Sequence, residues 1–315
     1  MEFIPAYFYP TTLVFVDDLP LALDAYKSLF AKSGFNCIFY ENSKSALEFF
    51  ENYSTPLTEI NFISKICQFD SEKPNTQYAV QLDISQTIEL AKSQTKYNEV
   101  SVLLTDYNMK PGKNGIELCQ VLKRHKFKKL LLTELQTYQA ALKALNNGVI
   151  NYFVSKMDAP EMIKEAVTEL SIHFFNDKTA DFRKYLETNS LSPLSDPVFI
   201  EYFLEIIKKL DIIEYYLIDK NGSYLLIDSN RQNHVLIVHN DQSLAEFTTI
   251  LEEYNSLNKI VKSISEKKII PFFGINKEIS DIDVANDINA HLYCSTVLDG
   301  KQKYYVHLLK YDLNL

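Results

Sequence analysis

Four short apolar runs, each closing on a residue able to do chemistry, constrain this chain more than any other feature. Leu13-Val-Phe-Val16 is followed by Asp17 and Asp18, and Val102-Leu-Leu-Thr105 by Asp106. Leu130-Leu-Leu-Thr133 ends in a hydroxyl, and Tyr152-Phe-Val-Ser-Lys156 in an ammonium. Runs this short and this apolar, separated by helix-length segments, read as parallel strands buried on both faces. In open α/β sheets the crevice outside the strand carboxyl ends is where ligands bind. Three carboxylates gathered there raise one another's pKa unless a cation neutralises them. A hard divalent ion with oxygen ligands, Mg²⁺, suits that need.

Taken singly, each residue has a plain structural use. An Asp pair after a strand commonly caps a helix, Thr at a strand end is a good β-former, and a lone lysine is usually solvated. Five of them in chain order at the ends of successive βα units is a different matter. Phosphoryl transfer asks mostly for positioning and charge neutralisation, and a carboxylate can be the nucleophile that forms an aspartyl-phosphate. Over roughly residues 11–175 the pattern resembles the receiver domain of two-component response regulators. The resemblance implies a flavodoxin-like, doubly wound five-stranded parallel sheet. It implies that Asp106 accepts the phosphoryl group, that Asp17 and Asp18 hold Mg²⁺ with it, and that Asn108 adds its backbone carbonyl. Thr133 would bond a phosphoryl oxygen, and Lys156 would pair with the acceptor and its phosphate. Phe153 would be the switch aromatic, with Tyr152 as its rival. The phosphoryl donor would be a histidine kinase or a phosphotransfer protein.

Three departures stand out. Asp18 and Asp106 are 88 positions apart, far more than is usual in receivers. The stretch from about residue 54 to 97 therefore reads as an insertion within the receiver. Two helical runs are expected in it, Leu57–Cys67 and Ile84–Lys96, around the polar stretch Gln68–Gln77, because a loop this long is rarely structureless. Such a helical pair could offer a contact surface. Met157 follows the lysine where receivers usually carry proline, and the stretch Met109–Gly115 is one residue longer than their usual loop.

At 315 residues the chain suits two domains, each with its own core. No run of 18 apolar residues suggests a membrane span, and Met1-Glu-Phe-Ile-Pro5 lacks the form of a signal peptide. A cytoplasmic protein is expected. Cys37, Cys67, Cys119 and Cys294 show no metal-type spacing and read as buried free thiols. The net charge of −9 works against binding to nucleic acid or acidic membranes. Residues 178–315 alone hold fifteen Lys/Arg and twenty Asp/Glu. A DNA-binding output needs a basic surface, so a transcription regulator is disfavoured.

The expected division is a receiver at 1–175, a helical linker at 176–211 and an α+β output domain at 212–315. Ala159–Leu186 reads as the last receiver helix running into the linker, with Pro160 in its first turn and Asp158 with Glu161 as a capping box. Val198–Leu210 is a strongly apolar helix, equally suited to pairing with its twin in a homodimer or to packing within the chain. Beyond it the period shifts to two. Tyr215–Ile218 and Tyr224–Ile227 flank Asn221-Gly222, the favoured hairpin dipeptide, and His234–Val238 makes a third strand. Helices at 243–254 and 256–265 precede a second hairpin, Ala290–Val297 and Lys303–Leu309, giving an antiparallel sheet. The order is PAS-like by pattern. The hairpin followed by Lys268-Ile-Ile-Pro-Phe-Phe273 is similar to tails in receiver-containing bacterial proteins, among them regulators of quorum-sensing systems of the Legionella type. No nucleotide-cyclising, phosphate-cradling or metal-hydrolase motif is visible there. His234 and His239 read as strand residues, and Asp281, Asp283 and Asp287 as helix caps. The expected output is therefore not enzymatic and acts on an unidentified protein partner. A ligand-binding or enzymatic output controlled by the receiver is the alternative.

Overall fold

The computed structural model describes residues 3–55, 60, 62–68, 78–187, 192–252 and 257–312. The chain forms two compact units, one of Tyr9–Glu59 with Ser93–Lys178, the other of Met1–Phe8, Ile60–Lys92 and Thr179–Leu315. In chain order the elements up to Asn52 are β1 (Tyr7–Phe8), β2 (Thr12–Val16), α1 (Pro20–Phe30), β3 (Asn36–Tyr40) and α2 (Ser43–Asn52). Next come β4 (Ile63–Gln68), β5 (Tyr78–Leu82), α3 (Ser85–Lys92), β6 (Val100–Asp106) and α4 (Gly115–Val121). β7 (Lys128–Thr133), α5 (Tyr138–Asn146), β8 (Tyr152–Ser155) and α6 (Pro160–Lys178) complete the first unit.

That unit is built on a five-stranded parallel sheet in the order β3-β2-β6-β7-β8. Counted within the unit this is the flavodoxin-like order 2-1-3-4-5. β2, β6 and β7 are buried at every position, as parallel strands covered on both faces must be. Alternation along β2 divides the core. Leu13 and Phe15 pack with Leu23 and Phe30 of α1 and Val167 of α6. Val14 and Val16 pack with Phe50 of α2, Leu118 of α4 and Ala141 of α5. Register then brings the strand ends level: Val16 lies opposite Thr105, Asp106 opposite Leu132, and Thr133 opposite Ser155.

The second unit continues with α7 (Ala180–Glu187), α8 (Pro197–Leu210), β9 (Ile212–Leu217), β10 (Tyr224–Asp228), β11 (Asn233–Asn240), α9 (Asp241–Glu252) and α10 (Asn258–Ser265). It ends with β12 (Ile269–Pro271), α11 (Val284–Asp287), β13 (Leu292–Cys294), β14 (Thr296–Asp299) and β15 (Lys303–Lys310). Its antiparallel sheet runs β1-β9-β10-β11-β15-β14, and β12 pairs with β13. Asp196 caps α8 through the Val198 N–H. The same buried carboxylate accepts from the Tyr304 hydroxyl at 3.0 Å and the Lys301 N–H at 2.6 Å. Phe203 of α8 packs against Tyr215 and Tyr224, and Phe199 against Tyr304. The buried residues of this helix, Phe199, Ile200, Phe203 and Ile206, thus pack within the second unit, while Val198 and Leu204 stay exposed.

Several expectations need correction. The insertion is not part of the parallel-sheet unit. Phe8 and Tyr7 pair with Tyr215 and Tyr216 of β9, Phe62 packs tilted against Phe182 with ring centres 4.5 Å apart, and the Thr87 hydroxyl of α3 donates to Leu217 O at 2.6 Å. Residues 1–8 and 60–92 thus belong with the C-terminal sheet, and the boundaries expected at 175 and 211 fall instead at Lys178. Helices α7 and α8 are parts of the second unit, not a linker, and Thr179 separates α7 from α6. Where a helix was expected over Leu57–Cys67, β4 pairs antiparallel with β5. Short apolar runs fit either state, and Ile-rich ones favour a strand once a partner exists. Residues 56–59, 61 and 69–77 of those expectations lie outside the described residues. Among the cysteines described, Cys119 is buried, Cys37 half-buried and Cys294 exposed, the last because it ends the short strand β13. Finally, Asp158 accepts from the Ser155 N–H at 3.0 Å, so its carboxylate ties off β8.

Candidate functional site

The carboxyl ends of β2 and β6 lie side by side, which brings Asp17, Asp18 and Asp106 together. One carboxylate oxygen of each lies within 4.8 Å of the others, the single such cluster of metal-ligating side chains among the described residues. Asp17 and Asp106 are buried. Neither Asp17 nor Asp18 caps α1 in the ordinary way. Asp17 Oδ1 accepts from the Leu19 N–H at 3.0 Å, and Asp18 Oδ2 accepts from the Lys110 N–H at 3.0 Å. That second bond holds the loop after β6 over the acidic pair.

Lys156, just past the end of β8, reaches back to the cluster. Its Nζ is 2.9 Å from Asp106 and 3.4 Å from Asp17. Burial pushes the Asp106 carboxyl up from its ordinary value and Asp17 adds to that, while Lys156 and the Asn108 N–H pull the other way without reversing it. Burial alone would lower the Lys156 ammonium, but its bonds to Asp106 and Asp17 leave it raised. Three carboxylates and one ammonium leave two negative charges in a partly desolvated pocket. The donor set is all oxygen. Both observations fit a hard divalent cation.

The remaining expected residues are near but not all in contact. Thr133 is buried at the end of β7, its hydroxyl bonded to that of Thr137 at 2.7 Å rather than to a carboxylate. Asn108 touches the cluster through its N–H, which bonds Asp106. Phe153 is half-buried and meets the Tyr138 ring edge-on at 5.1 Å, whereas Tyr152 is 48% exposed. The cis peptide among the described residues joins Lys110 to Pro111.

Sequence reasoning passed over two residues. Tyr26, on the inner face of α1, points its hydroxyl at Asp17 Oδ2, 3.4 Å away. Burial, with Asp17 and Asp106 nearby, raises its phenol. Its signal was present: Leu23, Tyr26 and Phe30 recur at helical spacing, but spacing does not say which side chain meets the acids. Gly115 starts α4 directly against β6. A Cβ there would collide with the Asp106 carbonyl and lie 2.8 Å from Leu131 Cδ1. Only glycine lets the helix begin this close to the acidic strand end.

No protein-family model and no curated protein matches the chain. Among solved structures, the Legionella pneumophila response regulator LqsR superposes with a TM-score of 0.74 at 21% identity, covering 100% of this chain and 93% of that one. The acidic site sits on a receiver fold. An adenylate cyclase from Rhodopirellula baltica matches at a TM-score of 0.38 and 19% identity, over 56% of this chain and 98% of that one. The signal receiver domain of an HD domain-containing protein from Pseudomonas fluorescens Pf-5 matches at 0.37 and 14% identity, over 54% and 93%. At those scores neither carries weight, and the likeness to LqsR speaks for the fold alone.

Proposed function

We propose that this chain is a cytoplasmic response regulator of a phosphorelay, with Asp106 as its phospho-acceptor. The observation that carries this reading is the cluster of Asp17, Asp18 and Asp106 with the Lys156 ammonium 2.9 Å from Asp106. An Asp106 carboxylate oxygen attacks the phosphorus of a phosphohistidine on a kinase or phosphotransfer protein. The new bond is an acyl phosphate P–O bond, the P–N bond breaks, and the donor imidazole leaves with the bond's electron pair and takes up a proton. Asp17, Asp18 and Asp106 would hold Mg²⁺, which supplies charge neutralisation for the phosphoryl oxygens. Lys156 adds a fixed positive charge beside the acceptor. The Thr133 hydroxyl exchanges its bond to Thr137 for one to a phosphoryl oxygen, and Phe153 follows by repacking against Tyr138 and α5. The second unit carries the output, which acts by changing a contact with a protein partner or a second copy of the chain rather than by catalysis.

Incubation with acetyl phosphate and Mg²⁺, or with a phosphorylated histidine kinase where small donors fail, tests the reading. Wild type should gain one phosphoryl group, and Asp106→Asn none. Equal labelling of the two proteins, or labelling of neither by any donor, would sink it.

A further inference from the structure

Thr133 does not bond the acidic cluster, and the turn that follows β7 shows what holds it elsewhere. Its backbone is pinned: Thr133 lies opposite Ser155 across the β7–β8 pair, and its carbonyl accepts from the Lys156 N–H at 2.9 Å. Only the side chain has freedom to turn. Its hydroxyl lies 2.7 Å from that of Thr137 and 3.3 Å from the Glu134 carbonyl. Thr137 in turn closes the 3₁₀ turn Leu135–Thr137 on itself. Its hydroxyl donates to the Glu134 carbonyl at 3.0 Å and accepts from the Glu134 N–H at 3.2 Å.

A hydroxyl carries one proton, and that of Thr133 is spent inside this turn. Either Thr133 donates to Thr137 Oγ1 while Thr137 donates to the Glu134 carbonyl, or Thr133 donates to that carbonyl while Thr137 donates to Thr133. Phosphoryl oxygens are acceptors, so Thr133 can bond one only by giving up its donation within the turn. The bond to Thr137 therefore belongs to the resting orientation and is lost in the other. Glu134 is exposed and Thr137 half-buried, so water can satisfy the turn's own N–H and carbonyl where the Thr137 hydroxyl is removed. The next residue, Tyr138, carries the ring that meets Phe153 edge-on. The turn that holds Thr133 thus runs straight into the aromatic contact at the start of α5.

We infer that Thr137 is a positioning residue for phosphorylation: its hydroxyl holds that of Thr133 in the resting orientation and so opposes the phosphorylated state. The inference rests on the reading of Asp106 as the phospho-acceptor. Whatever destabilises one of two orientations favours a ligand that binds the other. Beryllofluoride with saturating Mg²⁺ stands in for a phosphoryl group on a carboxylate, and its affinity for the full chain can be measured by calorimetry. Thr137→Val, which keeps the size and removes the hydroxyl, should bind it about three- to tenfold more tightly than wild type, the worth of one neutral hydrogen bond. Thr137→Ala should change it in the same direction, and Thr137→Ser should match wild type. The Mg²⁺ affinity without beryllofluoride should be the same in all four proteins, which also shows that the variants are folded. In unloaded Thr137→Val the Thr133 methyl resonance should lie nearer its position in loaded wild type. A merely structural role for Thr137 would leave beryllofluoride affinity unchanged or lower it. Either result, or a Thr137→Ser protein that behaves like Thr137→Val, would overturn the inference while leaving the acceptor in place. Failure of wild type to bind beryllofluoride at all would overturn the acceptor reading itself, and the role of Thr137 with it.

Discussion

Asp18 and Gly115 illustrate two ways in which single residues define the acidic site. Asp18 is the partly exposed member of the trio and is tied to the loop after β6 through Lys110. Asp18→Asn should weaken Mg²⁺ binding by roughly 10- to 100-fold, a range that loss of even an outer-shell partner reaches. Calorimetry with Mg²⁺ checks it, and an unchanged affinity would remove Asp18 from the ligand set. Gly115 works by having no side chain. Gly115→Ala must push α4 away from the Asp106 carbonyl, so a loss of about 1–3 kcal/mol in urea denaturation is expected, as for other overpacked positions. Stability equal to wild type would mean that the helix start has room to shift. The acids, Thr133 and Lys156 were legible in the sequence because each directly follows or ends an apolar run. Tyr26 and Gly115 were not, because their roles depend on how closely a helix approaches a strand end, and no spacing records that distance.

At the scale of elements, the strands of the parallel-sheet unit announced themselves because parallel strands covered on both faces are apolar at every position. β1 could not. Two residues carry no periodicity, and Tyr7 and Phe8 acquire their meaning only from β9, more than 200 positions away. The pair β4 and β5 was misjudged for a related reason, since a short apolar run fits a helix or a strand until its partner is known. β11 offers an element-level test. His239 on that strand donates Nε2–H to the Pro271 carbonyl at 2.9 Å, and its Nδ1 lies 3.0 Å from the Ser243 hydroxyl. Burial lowers its pKa below the usual histidine value, against weaker opposing effects of the Pro271 bond and Asp219. The unfolded state then binds the proton more readily, so this contribution is complete above about pH 6.5 and is lost as pH falls through the lower folded value. Melting temperature should therefore drop between about pH 7 and 5, and drop less steeply in His239→Gln. Parallel slopes for the two proteins would show that His239 is not the group responsible.

For the molecule as a whole, the two units are threaded through one another in sequence, with the second assembled from three separate segments. The fold class was legible, but the segment boundaries were not, because composition changes little where the chain passes from one unit to the other. A fragment of residues 212–315 should consequently lack a cooperative melt and show poor amide dispersion. It loses β1, the buried Ile4 and Tyr7, and the Phe199 and Phe203 face of α8. A well-dispersed, cooperatively melting fragment would contradict this organisation. The acidic site lies wholly within the other unit, and the proposed switch stands or falls on one phosphoryl transfer there. Borohydride reduction after treatment with a phosphodonor and Mg²⁺ converts an aspartyl-phosphate to homoserine, which peptide mass spectrometry locates. Homoserine at position 106, absent when the donor or Mg²⁺ is withheld, is the predicted result; an unreduced Asp106 alongside homoserine at another aspartate would contradict it.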